Sequence, residues 1–115
     1  ARIGGIAVEV KEIVDTGATD GTTPNPDGRH IVGDDSSIVV TDGGEVRIAY
    51  QDSTSQRVMF ATRAAAGGWT VTVLDAMDST GYFVDQVLLA NTSYVATWWR
   101  REQGTKANGV RVLNP

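Results

Sequence analysis

A chain of 115 residues, 41% hydrophobic and 21% charged, fits one domain with a modest core and not two, and its ordinary composition excludes disordered and collagen-like classes. The net charge of −4, with ten scattered basic residues, argues against a nucleic-acid partner, and no apolar run reaches the length of a membrane span. The lack of cysteine excludes a disulfide framework and thiol chemistry.

The chain opens on Ala-Arg-Ile-Gly-Gly, with no initiator methionine and no signal peptide, so we expect an upstream segment to have been removed. Apolar residues then come in short Val- and Ile-rich runs divided by Gly, Asp, Asn and Ser, without helical periodicity, which is the pattern of an all-β protein. A first strand is predicted over 6–14, followed by a long polar loop over 15–35. Four strands follow at 36–40, 45–50, 57–63 and 69–74. They are joined by Asp42-Gly43-Gly44, Ser53-Thr54-Ser55 and Ala66-Gly67-Gly68, short enough to force an antiparallel meander. The same pattern restarts with strands at 83–89, 94–99 and 109–113, linked by Asn91-Thr92-Ser93 and a polar tip over 100–108. No fourth strand follows in this second unit.

The two units repeat. EIVDTGATDG at 12–21 aligns with TVLDAMDSTG at 72–81, matching Asp15 to Asp75 and Gly21 to Gly81 at an offset of 60. IAYQD aligns with TWWRR, placing Tyr50 against Trp98 at an offset of 48, and SSIVV aligns with DQVLL at 49. The discrepancy assigns an insertion of about a dozen residues to the 15–35 loop, a place where added length costs little closure entropy. A four-stranded unit cannot bury both faces of its sheet alone, so two such units are the expected grammar of a β-propeller completed by further blades or by further copies of the chain.

VGDDSSIVVTDGGEVRIAYQDSTSQRVMFATRAAAGGWTVTVLD at 32–75 resembles the blades of a family of bacterial repeat proteins, secreted or lipid-anchored and frequent in myxobacteria, whose propellers are sialidase-like. The shared features are a Ser-Ser-aliphatic strand, an Asp-Gly turn, an Ile-Ala-Tyr-x-Asp strand, a strand carrying Ala-Thr, and Gly-Trp opening the outer strand. TGYFVDQVLLANTSYVATWW keeps only the Gly-aromatic start and loses Tyr-x-Asp, as a capping repeat would. The resemblance implies one propeller segment. In it 6–14 is the outer strand of a preceding or completing blade, 15–35 an interblade loop, 36–75 a complete blade and 76–115 a last blade lacking its outer strand. The sialidase Asp-box string Ser-x-Asp-x-Gly-x-Thr-Trp is absent, so the resemblance implies architecture without sugar hydrolysis.

Asp15, Asp20, Asn25, Asp27, Asp34 and Asp35 crowd one loop, a weak calcium-type oxygen cluster without EF-hand order, or else a solvated loop whose Asp and Asn close backbone turns. Trp98 and Trp99 adjoin in a strand and must point to opposite faces. Either both lie between blades, or one joins Tyr82 or Phe83 in a sugar-stacking or protein-contact surface. Tyr50 and Asp52 share a strand face, where the Asp suits a hydrogen-bonded corner. A metal site or triad would have to rest on His30, the single histidine, and Ser36-Ser37 sits in no strained turn. The reading is a non-enzymatic propeller binding or scaffold module, the C-terminal piece of a larger exported bacterial repeat protein, secreted, periplasmic or at the cell surface. The alternatives are a lectin of two-blade chains closing a ring, and a hydrolase fragment whose catalytic residues lie elsewhere. Its expected partners are the remaining blades or further copies, with a glycan or protein ligand, and no cofactor beyond the calcium considered for the acidic loop.

Overall fold

A computed structural model describes residues 2–3, 6–7, 11–76, 79–89, 94–101 and 107–113, with side chains described over 11–76, 79–89 and 96–98. Among these residues the protein is all strand and turn, with no helix. A short pair, β1 (Arg2–Ile3) and β2 (Ile6–Ala7), precedes a four-stranded antiparallel meander of β3 (Val32–Val40), β4 (Val46–Asp52), β5 (Arg57–Arg63) and β6 (Trp69–Asp75). A three-stranded antiparallel sheet follows, made of β7 (Ser79–Leu88), β8 (Tyr94–Arg101) and β9 (Ala107–Leu113).

The strand expected over 6–14 is realised only at Ile6–Ala7; residues 8–10 lie outside the described residues, and 11–14 form no strand. The reason is that 12–14 lie against the meander's face instead of pairing with an edge. Glu12 accepts hydrogen bonds from Arg63 and Trp69 side chains, and Val14 packs against Tyr50, Met59 and Ala61. β3 and β7 both begin about four residues earlier than their sequences suggested, because each reaches its partner strand across two bulges.

Those bulges are the clearest sign of the repeat. In β3 the pairs Val32↔Asp52, Asp34↔Gln51 and Ser37↔Ala49 flank the two register shifts, and in β7 the pairs Thr80↔Arg100, Tyr82↔Trp99 and Asp85↔Thr97 do so, every residue 48 positions on. Backbone geometry repeats with them: Gly33 (φ 104°) and Asp35 (φ 49°) correspond to Gly81 (φ 91°) and Phe83 (φ 54°). The structural counterpart of Gly81 is therefore Gly33 and not Gly21.

Strand alternation gives the meander two apolar faces. On one, Ala49, Val58, Phe60 and Leu74 pack against Val84, Ala96 and Trp98 of the second sheet. That junction is also hydrogen-bonded. Gln51 Nε2 donates to the Thr80 carbonyl at 2.7 Å, the Val58 amide to Thr80 Oγ1 at 3.1 Å, and the Phe83 amide to Asp35 Oδ2 at 3.1 Å. Buried Thr80 and Gln51 thus find partners on the opposite sheet, which fixes its placement as well as its contact. On the other face, Tyr50, Met59 and Ala61 carry Val32, Ile48, Trp69, Val71 and Val73 around them, and Ile38 and Val40 stay 60% and 56% exposed.

Candidate functional site

Chemistry-bearing side chains gather where the 11–31 segment crosses the second face of the meander. The segment turns at Asp15, whose Oδ1 accepts from the Gly17 amide at 2.7 Å while Oδ2 accepts from the Tyr50 hydroxyl at 2.6 Å. Tyr50 is 3% exposed, and its burial together with the Asp15 carboxylate pushes the phenol far above its ordinary value of 10.0. It is therefore a fixed donor and not a base or nucleophile. Beside it a cavity of about 330 Å³ is lined by Ile13, Val14, Val32, Gly33, Ser36 and Ile48, apolar with one carboxylate at its rim.

The second unit contains the same device. Trp98 Nε1 donates to Asp75 Oδ2 at 3.0 Å, and Leu74 packs beside Trp98 as Val14 packs beside Tyr50. Asp15 to Asp75 spans 60 positions and Tyr50 to Trp98 spans 48, so the twelve extra residues fall between Asp15 and Val32.

Those residues are held by His30, 7% exposed, which sits between two carboxylates with Nδ1 2.6 Å from Asp52 Oδ2 and Nε2 2.7 Å from Asp27 Oδ1. The bonds to Asp52 and then Asp27 raise the imidazole above its ordinary 6.5, against the opposing effect of burial. The doubly protonated ring satisfies both acceptors at once. Asp52, 1% exposed at the end of β4, also accepts from the Thr54 and Ser55 amides, the Ser55 hydroxyl and Arg57 Nη2. Burial alone would raise its carboxyl, but hydrogen bonds from His30, Ser55 and Arg57 prevail and hold it well below 3.8. Gly17 completes the lock: its carbonyl accepts from the His30 amide at 2.8 Å, and its φ of 73° and a Cβ-to-carbonyl distance of 2.1 Å leave no room for a side chain.

Several sequence-predicted site residues fall elsewhere. The calcium-type cluster is not assembled: Asp20 closes a turn over the Thr22 and Thr23 amides, Asn25 Nδ2 donates to the Gly17 carbonyl, Asp27 binds His30, Asp34 accepts from the Ser53 hydroxyl and Asp35 from the Phe83 amide. Each of these side chains has its own partner, and no group of three His or acidic side chains placed to hold a metal ion is found among the described residues. Trp98, proposed as a contact surface, is 5% exposed inside the sheet junction, and Tyr50 is equally buried. Tyr82 is half-buried, Phe83 is 73% exposed, and Trp99 pairs with Tyr82 and Asn108 in register, its side chain lying outside the described residues.

Sequence reasoning gave His30 no partner, because Asp52 lies 22 residues away and nothing local marks the pair. The Asp–aromatic pairs were more accessible, since the repeat alignment already matched both Asp15 with Asp75 and Tyr50 with Trp98. Compared with known protein families, curated proteins and solved structures, the chain matches none.

Proposed function

We propose that this chain is a non-enzymatic β-propeller module, two consecutive blades that serve as a rigid binding or scaffold surface within a larger exported bacterial repeat protein. One observation carries this reading. The sheets stack in a single direction, and the face of the meander left open is the repeat counterpart of the face by which the second sheet docks, Ile48 and Tyr50 standing for Ala96 and Trp98. Head-to-tail stacking of equivalent faces is how successive blades bury their sheets.

A second observation supports it. Gly81 lies against the preceding sheet, where an added Cβ would come within 2.9 Å of Gln51 Cγ and 3.1 Å of the Arg57 carbonyl, whereas a Cβ on its counterpart Gly33 would meet nothing within 4 Å. The reading without catalysis rests on His30, both of whose nitrogens face carboxylates, and on Ser55, whose hydroxyl serves Asp52 and not the imidazole. Burial takes Tyr50 and Trp98 out of the set of aromatic residues considered for the lectin alternative.

Light scattering coupled to gel filtration tests the module reading. Association, or retention of a longer partner carrying further repeats, is the expected outcome; a stably folded, monodisperse monomer across the micromolar range overturns it.

A further inference from the structure

Two patches of the described surface are apolar and open. One is the β3–β4 side of the meander, with Ile38 and Val40 60% and 56% exposed and Ile13 78% exposed over the adjoining cavity. The other is the outward side of the second sheet, where Val87 and Leu89 of the β7 region are 55% and 42% exposed and Phe83 is 73% exposed. Val84 and Gln86, by contrast, are buried, as period-two geometry requires of residues facing the meander.

The 48-residue correspondence relates these patches to the junction already formed inside the chain. At that junction the giving face carries Ser37 and Val39 and the receiving face carries Val84 and Gln86. Their counterparts are Asp85 and Val87 for the giving face and Ser36 and Ile38 for the receiving face. The outward side of β7 is thus a second giving face, and the open side of β3 and β4 is a second receiving face. We infer that, where no further blade stands over it, the receiving face of this chain takes a second copy, docked head to tail through the outward side of its β7.

Within the chain the Ser37 hydroxyl already donates to Asp85 Oδ1 at 3.5 Å, so the contact between copies rests on the apolar side chains, with Val87 brought to Ile38, both more than half exposed. The loop over 15–31 crosses β4 at Tyr50 and Asp52 and reaches the outer strand, where Gly21 approaches the Val71 carbonyl on β6, and it leaves Ile38 and Val40 of the receiving face exposed. The contact is heterologous, with different surfaces on the two copies, and it propagates or closes into a ring instead of stopping at a symmetric dimer.

This inference rests on the module reading, and paired variants separate the two. Ile38→Asp blocks the receiving face and Val87→Asp the giving face, each at a residue more than half exposed, so neither removes core volume. Wild-type chain is expected to associate with concentration in light scattering, and each variant alone to weaken association about tenfold or more, as charges buried in an apolar contact do. An equimolar mixture is expected to form a one-to-one dimer, since each variant keeps the face the other lacks. Ile38→Thr and Val87→Thr, which keep β-branching, repeat the test should an aspartate disturb its strand. Wild-type association with no dimer in the mixture, or association untouched by either substitution, overturns head-to-tail docking and leaves the module reading standing. A folded wild-type monomer throughout overturns both.

Discussion

The imidazole of His30 takes its charge from its position between Asp52 and Asp27, and its behaviour with pH follows from the directions of the two shifts. A histidine raised above 6.5 by its folded partners lends stability that is fully present below 6.5 and is lost as pH climbs through the raised value. Asp52, depressed below 3.8, lends stability that is present above 3.8 and is lost as pH falls through the depressed value. Thermal melts are therefore expected to show a plateau between these limits, with a decline on the alkaline side that His30→Gln abolishes. At the plateau that substitution should cost about 2 kcal/mol in urea unfolding, the usual worth of hydrogen bonds to a charged group. Tyr50→Phe removes the bond to Asp15, and Trp98→Phe the one to Asp75, so both should destabilise by about 1.5–3 kcal/mol, the tryptophan more because it also loses core volume. Urea midpoints of the two variants give the comparison.

At the scale of elements, the strands over 57–63 and 69–75 match their expected extents to within a residue, because their apolar runs pair along almost their whole length, with a single register shift between Val58 and Met59. β3 and β7 were read short, since the bulged residues Gly33-Asp34-Asp35 and Gly81-Tyr82-Phe83 break alternation, and only a partner strand turns such a run into strand. These bulges are open to test. Gly33→Ala and Gly81→Ala each force a side chain to φ near 100° and should each cost about 1–3 kcal/mol. Gly81→Ala is expected to cost more, because its Cβ also meets Gln51 and Arg57 of the neighbouring sheet. Chemical denaturation of the pair measures the difference, and equal effects would show that Gly81 is not confined by that sheet.

Across the whole molecule, the meander uses one face internally and leaves much of the other with Ile38, Val40 and Ile13 in contact with solvent. Exposed apolar patches of this kind mark interaction surfaces. If a second copy covers them, the thermal midpoint should rise with protein concentration, by the mass action that couples folding to association. Scanning calorimetry at several concentrations checks this, and Ile38→Asp should flatten the dependence while leaving the dilute midpoint nearly unchanged.

The sequence alone determined the all-β class, the meander with its tight turns, the existence of a repeat and the location of an insertion, because these depend on local alternation, turn residues and spacing within a few dozen positions. It also placed Tyr50 and Asp52 on one strand face. The tertiary structure alone decided that Asp27, His30 and Asp52 form one lock, that Asp15 and Asp75 cap the aromatic residues 35 and 23 positions ahead of them, and which of its two open readings Trp98 takes, enclosed between the sheets. The physical reason is common to all three: a buried charge or a covered ring depends on which segment crosses the sheet, and strand periodicity specifies a residue's face without specifying what lies against it.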